Sequence, residues 1–191
     1  DGILDHFEDP SRAADIRLLL AEARKASEKI AAVIKRVMDF TRPSPLRLAQ
    51  VHINQPLREA LQLFRTTLPH SAVTLEVDLD DDIPLLYADS QLIEQVALNL
   101  LSNAMAALTG TGEPRRIRLS SRRDGSHALV IVADSGPGVP PGLRERVFTP
   151  FFTTRASGSG IGLSLCQRIV ADHGGRIEIG TSEWGGAAFR V

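Results

Sequence analysis

The stretch Glu94–Leu108, "EQVALNLLSNAMAAL", decides how the chain is read. Its apolar residues recur at helical spacing, which predicts a helix pressed against a core. Within it stand Asn99 and Asn103, four residues apart and therefore on one face, one turn above the other. Asn is a mediocre helix former, because its side chain competes for backbone hydrogen bonds. A core-facing helix that carries two stacked carboxamides asks for a chemical reason.

Working outward, the chain reads as alternating elements. Residues 54–68 ("NQPLREALQLFRTTL") form a helix with Leu57, Ala60, Leu61 and Phe64 on one face. Residues 72–79 ("AVTLEVDL") alternate as a strand, and residues 90–108 extend the opening stretch into a full helix. Residues 115–123 ("RRIRLSSRR") and 127–135 ("HALVIVADS") are strands joined through Asp124-Gly125, a hairpin signal. A helix follows from Gly160 and ends at Gly174, and residues 176–182 and 185–191 close the chain as a strand pair. Helices and strands segregate and several joins are short. The expected class is α+β, a layer of helices on one face of a mainly antiparallel sheet.

Before this lies a different segment. Ser11 can cap a helix, and no Gly or Pro interrupts from there to Phe40. Ile16, Leu19, Ala23, Ala26, Ile30, Val33, Val37 and Phe40 advance by alternating threes and fours, a heptad stripe that Leu20 and Ile34 widen. The stripe suits packing against another helix; a helix lying on its own domain would want a broader apolar face. "TRPSP" (residues 41–45) breaks the helix as a linker. The expected organisation is a helical segment and linker over 1–47 and a second domain over 48–191.

The bulk properties exclude several classes. The 191 residues carry a formal net charge of −1 and 43% hydrophobic residues, which suits a packed domain and offers no electrostatic attraction to nucleic acid or to an anionic membrane surface. Cys166 is the only cysteine, so no intrachain disulfide and no cysteine-based zinc cluster can form. No apolar run approaches the roughly 18 residues of a membrane span, and no secretory signal stands at Asp1. The chain reads as a cytoplasmic part of a longer protein whose remainder could include a membrane anchor.

Three glycine-rich places remain: "DSGPGV" (134–139), "SGSGIGL" (157–163) and "EWGGAAF" (183–189). Lys25, Lys29 and Lys35 are the only lysines, all in the N-terminal segment. A Walker loop needs its own lysine and a eukaryotic protein kinase needs a strand lysine, so neither fits. The glycine spacing does not match the dinucleotide fingerprint either.

The ordered boxes "NLLSNA", "DSGPG", "VFTPFF" and "GSGIGL" resemble the ATP-binding domain shared by sensor histidine kinases, gyrase, heat-shock chaperones and mismatch-repair ATPases. "MDFTRPSP" and "PFFTTR" resemble the nitrogen-regulation class of sensor histidine kinase. The resemblance spans roughly residues 51–191. It implies a two-layer α/β sandwich, the Bergerat ATP-binding fold, and a heptad segment equivalent to the second helix of a dimerisation hairpin. It also implies ATP and Mg2+ as ligands, a response-regulator receiver domain as partner and a homodimer through the N-terminal helix.

Under this resemblance Asn103 is the magnesium ligand, and Asn99 lies beside the phosphates as a catalytic residue. A carboxamide oxygen is a suitable weak ligand for a hard cation shared with phosphates. Asp134 accepts from the adenine amine and would repel the oxygen of guanine. Gly136 and Gly138 let backbone approach the base. Gly158, Ser159, Gly160, Ile161, Gly162 and Leu163 bring backbone N–H groups and a helix start to the phosphates. Thr153 and Thr154 begin a mobile lid that runs to Ser157. Arg155, the lid's one cation, is either a catalytic contact to the γ-phosphate or a solvated arginine.

Two features depart from the family pattern. Ala187 or Ala188 stands where a Thr usually precedes the last strand, and Ala106 and Ala107 replace basic and aromatic residues. Asn99 stands where hydrolysing relatives carry a glutamate base, and it cannot accept a proton at neutral pH. None of the five histidines has the expected phosphoacceptor context. The expected function is therefore the catalytic ATP-binding region of a histidine kinase whose phosphoacceptor lies outside this chain, with an ATP-hydrolysing machine or an ATP-binding regulator as alternatives.

Overall fold

The computed structural model describes residues 16–25, 27, 45–68, 72–155 and 158–191. The chain divides into two compact units, Asp1–Pro43 and Ser44–Val191. In the first, residues 16–25 are helical, with Leu18, Leu19 and Leu20 exposed. The heptad positions from Ile30 to Phe40 and the "TRPSP" linker fall outside the described residues.

The second unit is built from three helices and seven strands among the described residues. Helix α1 (Asn54–Arg65) buries Leu57, Ala60, Leu61 and Phe64, and Pro56 is tolerated in its first turn, where N–H groups lack intrahelical partners. Helix α2 (Ser90–Ala107) starts at Asp89, whose extended backbone and side chain cap it by accepting from Leu92 N at 3.3 Å. Helix α3 spans Gly162–Asp172. Beyond it Gly174 takes a φ of 74°, which explains why the helix stops there.

The strands are β1 (Ala49–Val51), β2 (Val73–Leu79), β3 (Leu86–Ala88), β4 (Arg115–Asp124), β5 (His127–Asp134), β6 (Glu178–Thr181) and β7 (Ala187–Arg190). Five of them form one sheet in the order β2-β4-β5-β7-β6. β2 and β4 are parallel and the other neighbours antiparallel. A parallel pair cannot be closed by a tight turn, and β3 with α2 supplies the crossover. The expected α+β class with a mixed, mainly antiparallel sheet and a helical layer is the observed one.

Alternation sets which face meets the helices. Ile117, Leu119 and Ser121 of β4 point inward and are buried, as are Val130 and Val132 of β5 and Phe189 of β7. Leu57, Leu100 and Leu101 meet them from the helices, each all but excluded from water and each contributing about 1.5–3 kcal/mol relative to exposure. A buried polar contact ties α1 to the sheet. Asn54, wholly buried, donates to Asp80 O at 2.8 Å and accepts from Ser121 Oγ at 2.6 Å, so α1 is pinned to the sheet with its amide satisfied. β1 and β3 form a separate two-stranded ladder that the alternation pattern did not reveal, since three residues are too few to show a period.

Candidate nucleotide site

The site collects where β5 ends, α2 finishes and α3 begins. Asp134 closes β5 and is 1% exposed. Its Oδ1 accepts from Gly136 N at 2.8 Å and from Ala187 N at 3.2 Å. Burial pushes its carboxyl above the ordinary value of 3.8, while those two N–H groups and the charge of Arg155 pull the other way. Oδ2 carries no bond among the described residues, yet no buried side-chain N or O atom there lacks a partner. Oδ2 therefore reaches the cleft.

The glycines around this carboxylate are unequal. A Cβ at Gly136 would stand 2.9 Å from Asp134 Oδ1 and 3.1 Å from Ala107 Cβ. Ala107 thus forms a wall against the turn, which gives the small residues at the end of α2 a reason. A Cβ at Gly186 would collide with Asp134 O. Gly138, at φ 71°, is needed for its backbone conformation. Ser182 braces the same strand end: its Oγ donates to Asp134 O at 2.7 Å. Sequence reading missed Ser182, because its hydroxyl serves the carbonyl of a residue on another strand.

Asn99 and Asn103 are half-buried on the face of α2 that looks toward α3 and the lid. Asn99 Oδ1 is the nearest atom to the position a Cβ would take at Gly162, 3.5 Å away. Arg155 is exposed, and its Nη2 donates to the backbone carbonyl of Asn103 at 3.0 Å. The lid's cation is thus tied to α2 across the cleft instead of standing free in solvent.

The three phenylalanines before the lid have different surroundings. Phe148 is buried, and Phe152 lies against Arg146, whose guanidinium carbon is 4.8 Å from the ring centre. Phe151 is 65% exposed and holds a φ of 67°, costly for a side chain with a Cβ. That conformation is held by Phe151 N donating to Gly160 O at 2.9 Å. Gly160 itself has a φ of 67°, and a Cβ there would overlap the Phe151 backbone. Thr153 Oγ1 accepts from Arg155 N at 3.1 Å and closes a small turn. Thr154 and Gly158 are exposed, and Ser159 is half-buried. Residues 156–157 of the expected lid lie outside the described residues. Ile161 is a core residue, 2% exposed, so it can offer a ligand only its backbone, and Leu163 is half-buried one turn into α3.

Among the described residues no group of three or more His, Cys, Asp or Glu side chains could hold a metal. No described helix is long and apolar enough to cross a membrane. His52 and His173 are committed to the fold: His52 Nδ1 accepts from Asn54 N at 3.3 Å, and His173 Nε2 accepts from Asp89 N at 3.0 Å. His127 is exposed at the β4–β5 hairpin. His6 and His70 are outside the described residues. A cavity of about 220 Å³ opens elsewhere, between Leu57, Val96, Leu100 and Val130. None of the expected site residues lines it, and its walls are apolar, so it is not a phosphate site.

A buried carboxylate at a strand end, glycine turns on either side of it, and a carboxamide-bearing helix define a nucleotide-binding class of domain. Residues 88–191 match the family described as histidine kinase-, DNA gyrase B- and HSP90-like ATPase. The chain belongs to that family. It is 34% identical over 173 residues to the signal transduction histidine-protein kinase AtoS of Escherichia coli (strain K12), covering 90% of this chain and 28% of the relative. Full-length ShkA in complex with AMPPNP superposes with a TM-score of 0.76 at 27% identity, over 91% of this chain and 37% of that one. The histidine kinase ThkA in complex with the response regulator protein TrrA gives a TM-score of 0.73 at 27% identity, over 97% and 52%. The chain spans 27% to 41% of the length of the curated relatives it matches, several of them named as histidine kinases.

Proposed function

We propose that this chain is the cytoplasmic, ATP-binding catalytic region of a sensor histidine kinase, which passes the γ-phosphate of ATP to a histidine on a dimerisation helix outside the chain. The observation that carries it is the tethered carboxylate. With Oδ1 of Asp134 taken by two backbone N–H groups, Oδ2 is the acceptor left to an exocyclic amine, and a guanine oxygen there would meet a negative charge. Gly136 and Gly138 give the base room. Gly158, Ser159, Gly160, Ile161, Gly162 and Leu163 turn backbone N–H groups toward the phosphates at the start of α3, with Thr153 and Thr154 at the lid. Arg155 adds a positive charge above Asn103.

Magnesium fits this donor set. No acidic cluster exists among the described residues to hold a metal unaided, and a carboxamide oxygen at Asn103 suits a cation that keeps its waters and shares the phosphates. Bound there, the ion would neutralise phosphate charge. Asn99 cannot take a proton from water, and Glu94, five residues earlier, lies about 140° around the helix, so the site favours a nucleophile other than water. The ThkA–TrrA complex supports a receiver domain as the next partner. The exposed Leu19 and Leu20 support a homodimer through the N-terminal helix.

Calorimetry with ATP and GTP, with magnesium or with EDTA, tests this reading. ATP should bind and GTP should not, with steady-state hydrolysis near background. Asn103→Ala should lose affinity chiefly when magnesium is present. An equal loss in EDTA would remove Asn103 as the metal ligand, and rapid turnover would favour a hydrolysing ATPase.

A further inference from the structure

The turn between β6 and β7, residues 182–186, is gripped from two sides. Asp134 holds it from one. Ser182 Oγ donates to Asp134 O at 2.7 Å and accepts from Trp184 N at 3.3 Å. Ser182 N donates to Gly186 O and Gly185 N to Ser182 O, which closes the turn. The residue that follows, Ala187, donates its N–H to Asp134 Oδ1 at 3.2 Å. The turn thus presents one of the two N–H groups that occupy Oδ1 and leave Oδ2 to the cleft. Gly186 permits this approach, since a Cβ there would overlap Asp134 O.

Strand β4 holds the turn from the other side. Arg116 and Arg118 flank Ile117, the register partner of Asp134, so alternation sends both arginines to the opposite face of the sheet. Their guanidinium carbons lie 5.8 Å and 4.9 Å from the centre of the half-buried Trp184 ring, within the range of a cation–π contact. Arg118 Nη1 also pairs with Glu183 at 2.5 Å, while its Nη2 is held by Glu76 of β2. A tight turn needs neither a tryptophan nor an ion pair to form. The consequence of losing this grip falls on Asp134. Without the Ala187 N–H, Oδ1 keeps Gly136 N as its backbone donor, and the carboxylate, whose last torsion is soft, can present either oxygen to the cleft.

We propose that Trp184 and Arg118 are positioning residues for the adenine contact: their stacking fixes the 182–186 turn, which holds Asp134 Oδ1 through the Ala187 N–H and keeps Oδ2 toward the base. This rests on the reading of Asp134 as the adenine acceptor. It gives the outer face of the sheet a part in a site that neither side chain touches.

The test compares ATP with purine riboside triphosphate, which lacks the 6-amino group, by calorimetry in magnesium. Trp184→Leu and Arg118→Gln should each weaken ATP about two- to fivefold, the scale of a partly exposed cation–π contact, and leave the amine-free nucleotide nearly unchanged. Trp184→Phe, which keeps a ring, should recover ATP affinity. The double variant Trp184→Leu/Arg118→Gln should be no weaker than either single one. General destabilisation would lower both nucleotides alike, so an unchanged ratio of the two affinities overturns the proposal. Hydrogen exchange at the Ala187 amide gives a reading without nucleotide. It should quicken in Trp184→Leu and Arg118→Gln while exchange at Val132, in the same sheet, stays as in wild type; unchanged exchange at Ala187 overturns the proposal as well. If the wild-type chain binds the two nucleotides equally, the adenine contact itself fails, and Ala187 exchange still decides whether the clamp holds the carboxylate.

Discussion

Asp134 holds a charge in a place where water hardly reaches. Its folded pKa is raised, so the folded chain binds a proton more tightly than the unfolded one. Stability attributable to this group therefore declines as pH rises from 3.8 through the raised value. An adenine amine donating to Oδ2 favours the ionised form and should release protons on binding. ATP affinity should accordingly fall as pH drops through the raised pKa, and calorimetry in buffers of different ionisation enthalpy would read the protons. Asp134→Asn should abolish that dependence, weaken ATP by about 1–3 kcal/mol, and leave the melting temperature of the free protein equal or higher, because a buried charge is gone. Equal ATP affinity in the two proteins would contradict the adenine contact. Asp134 was legible in the sequence through its glycines. Ser182, which braces its carbonyl, was not, because that contact joins segments far apart in the chain and the residue belongs to no motif.

At the level of elements, the glycine turn into α3 divides into parts that fold the loop and parts that serve the ligand. Gly160→Ala would force a Cβ into the Phe151 backbone at positive φ and should lower stability by at least about 1–2 kcal/mol, with faster tryptic cleavage at Arg155. Gly162→Ala meets only the Asn99 side chain, at ordinary contact distance, and alanine is the better helix former. Its melting temperature should hold or rise while ATP affinity falls; normal affinity would remove Gly162 from the phosphate cradle. The three helices of the second unit were legible because their apolar faces repeat over several turns. The ladder of β1 with β3 was not, being two three-residue strands. The parallel pairing of β2 with β4 was hidden as well, since pairing partners leave no local mark on the chain.

Taken as a whole, the molecule offers a proposed nucleotide site in one unit and exposed leucines among the described residues of the other. Leu19 and Leu20 are 63% and 64% exposed in the single chain, a surface that would be buried by a second helix. The full chain should therefore dimerise in sedimentation, a chain beginning at Leu48 should be monomeric, and Ile30→Glu should dissociate the longer one. A dimer that survives both changes would place the contact in the second unit. The division of labour that this implies, ATP held in one place and a nucleophile presented from another, can be examined in one measurement. The chain is incubated with ATP labelled in the γ-phosphate, alone and with a separately made dimerisation hairpin that carries a histidine followed by an acidic residue. Label should appear as acid-labile, base-stable phosphate on the hairpin histidine and not on this chain. Acid-labile label on the chain alone, lost in His6→Gln, would contradict it and make His6 the acceptor.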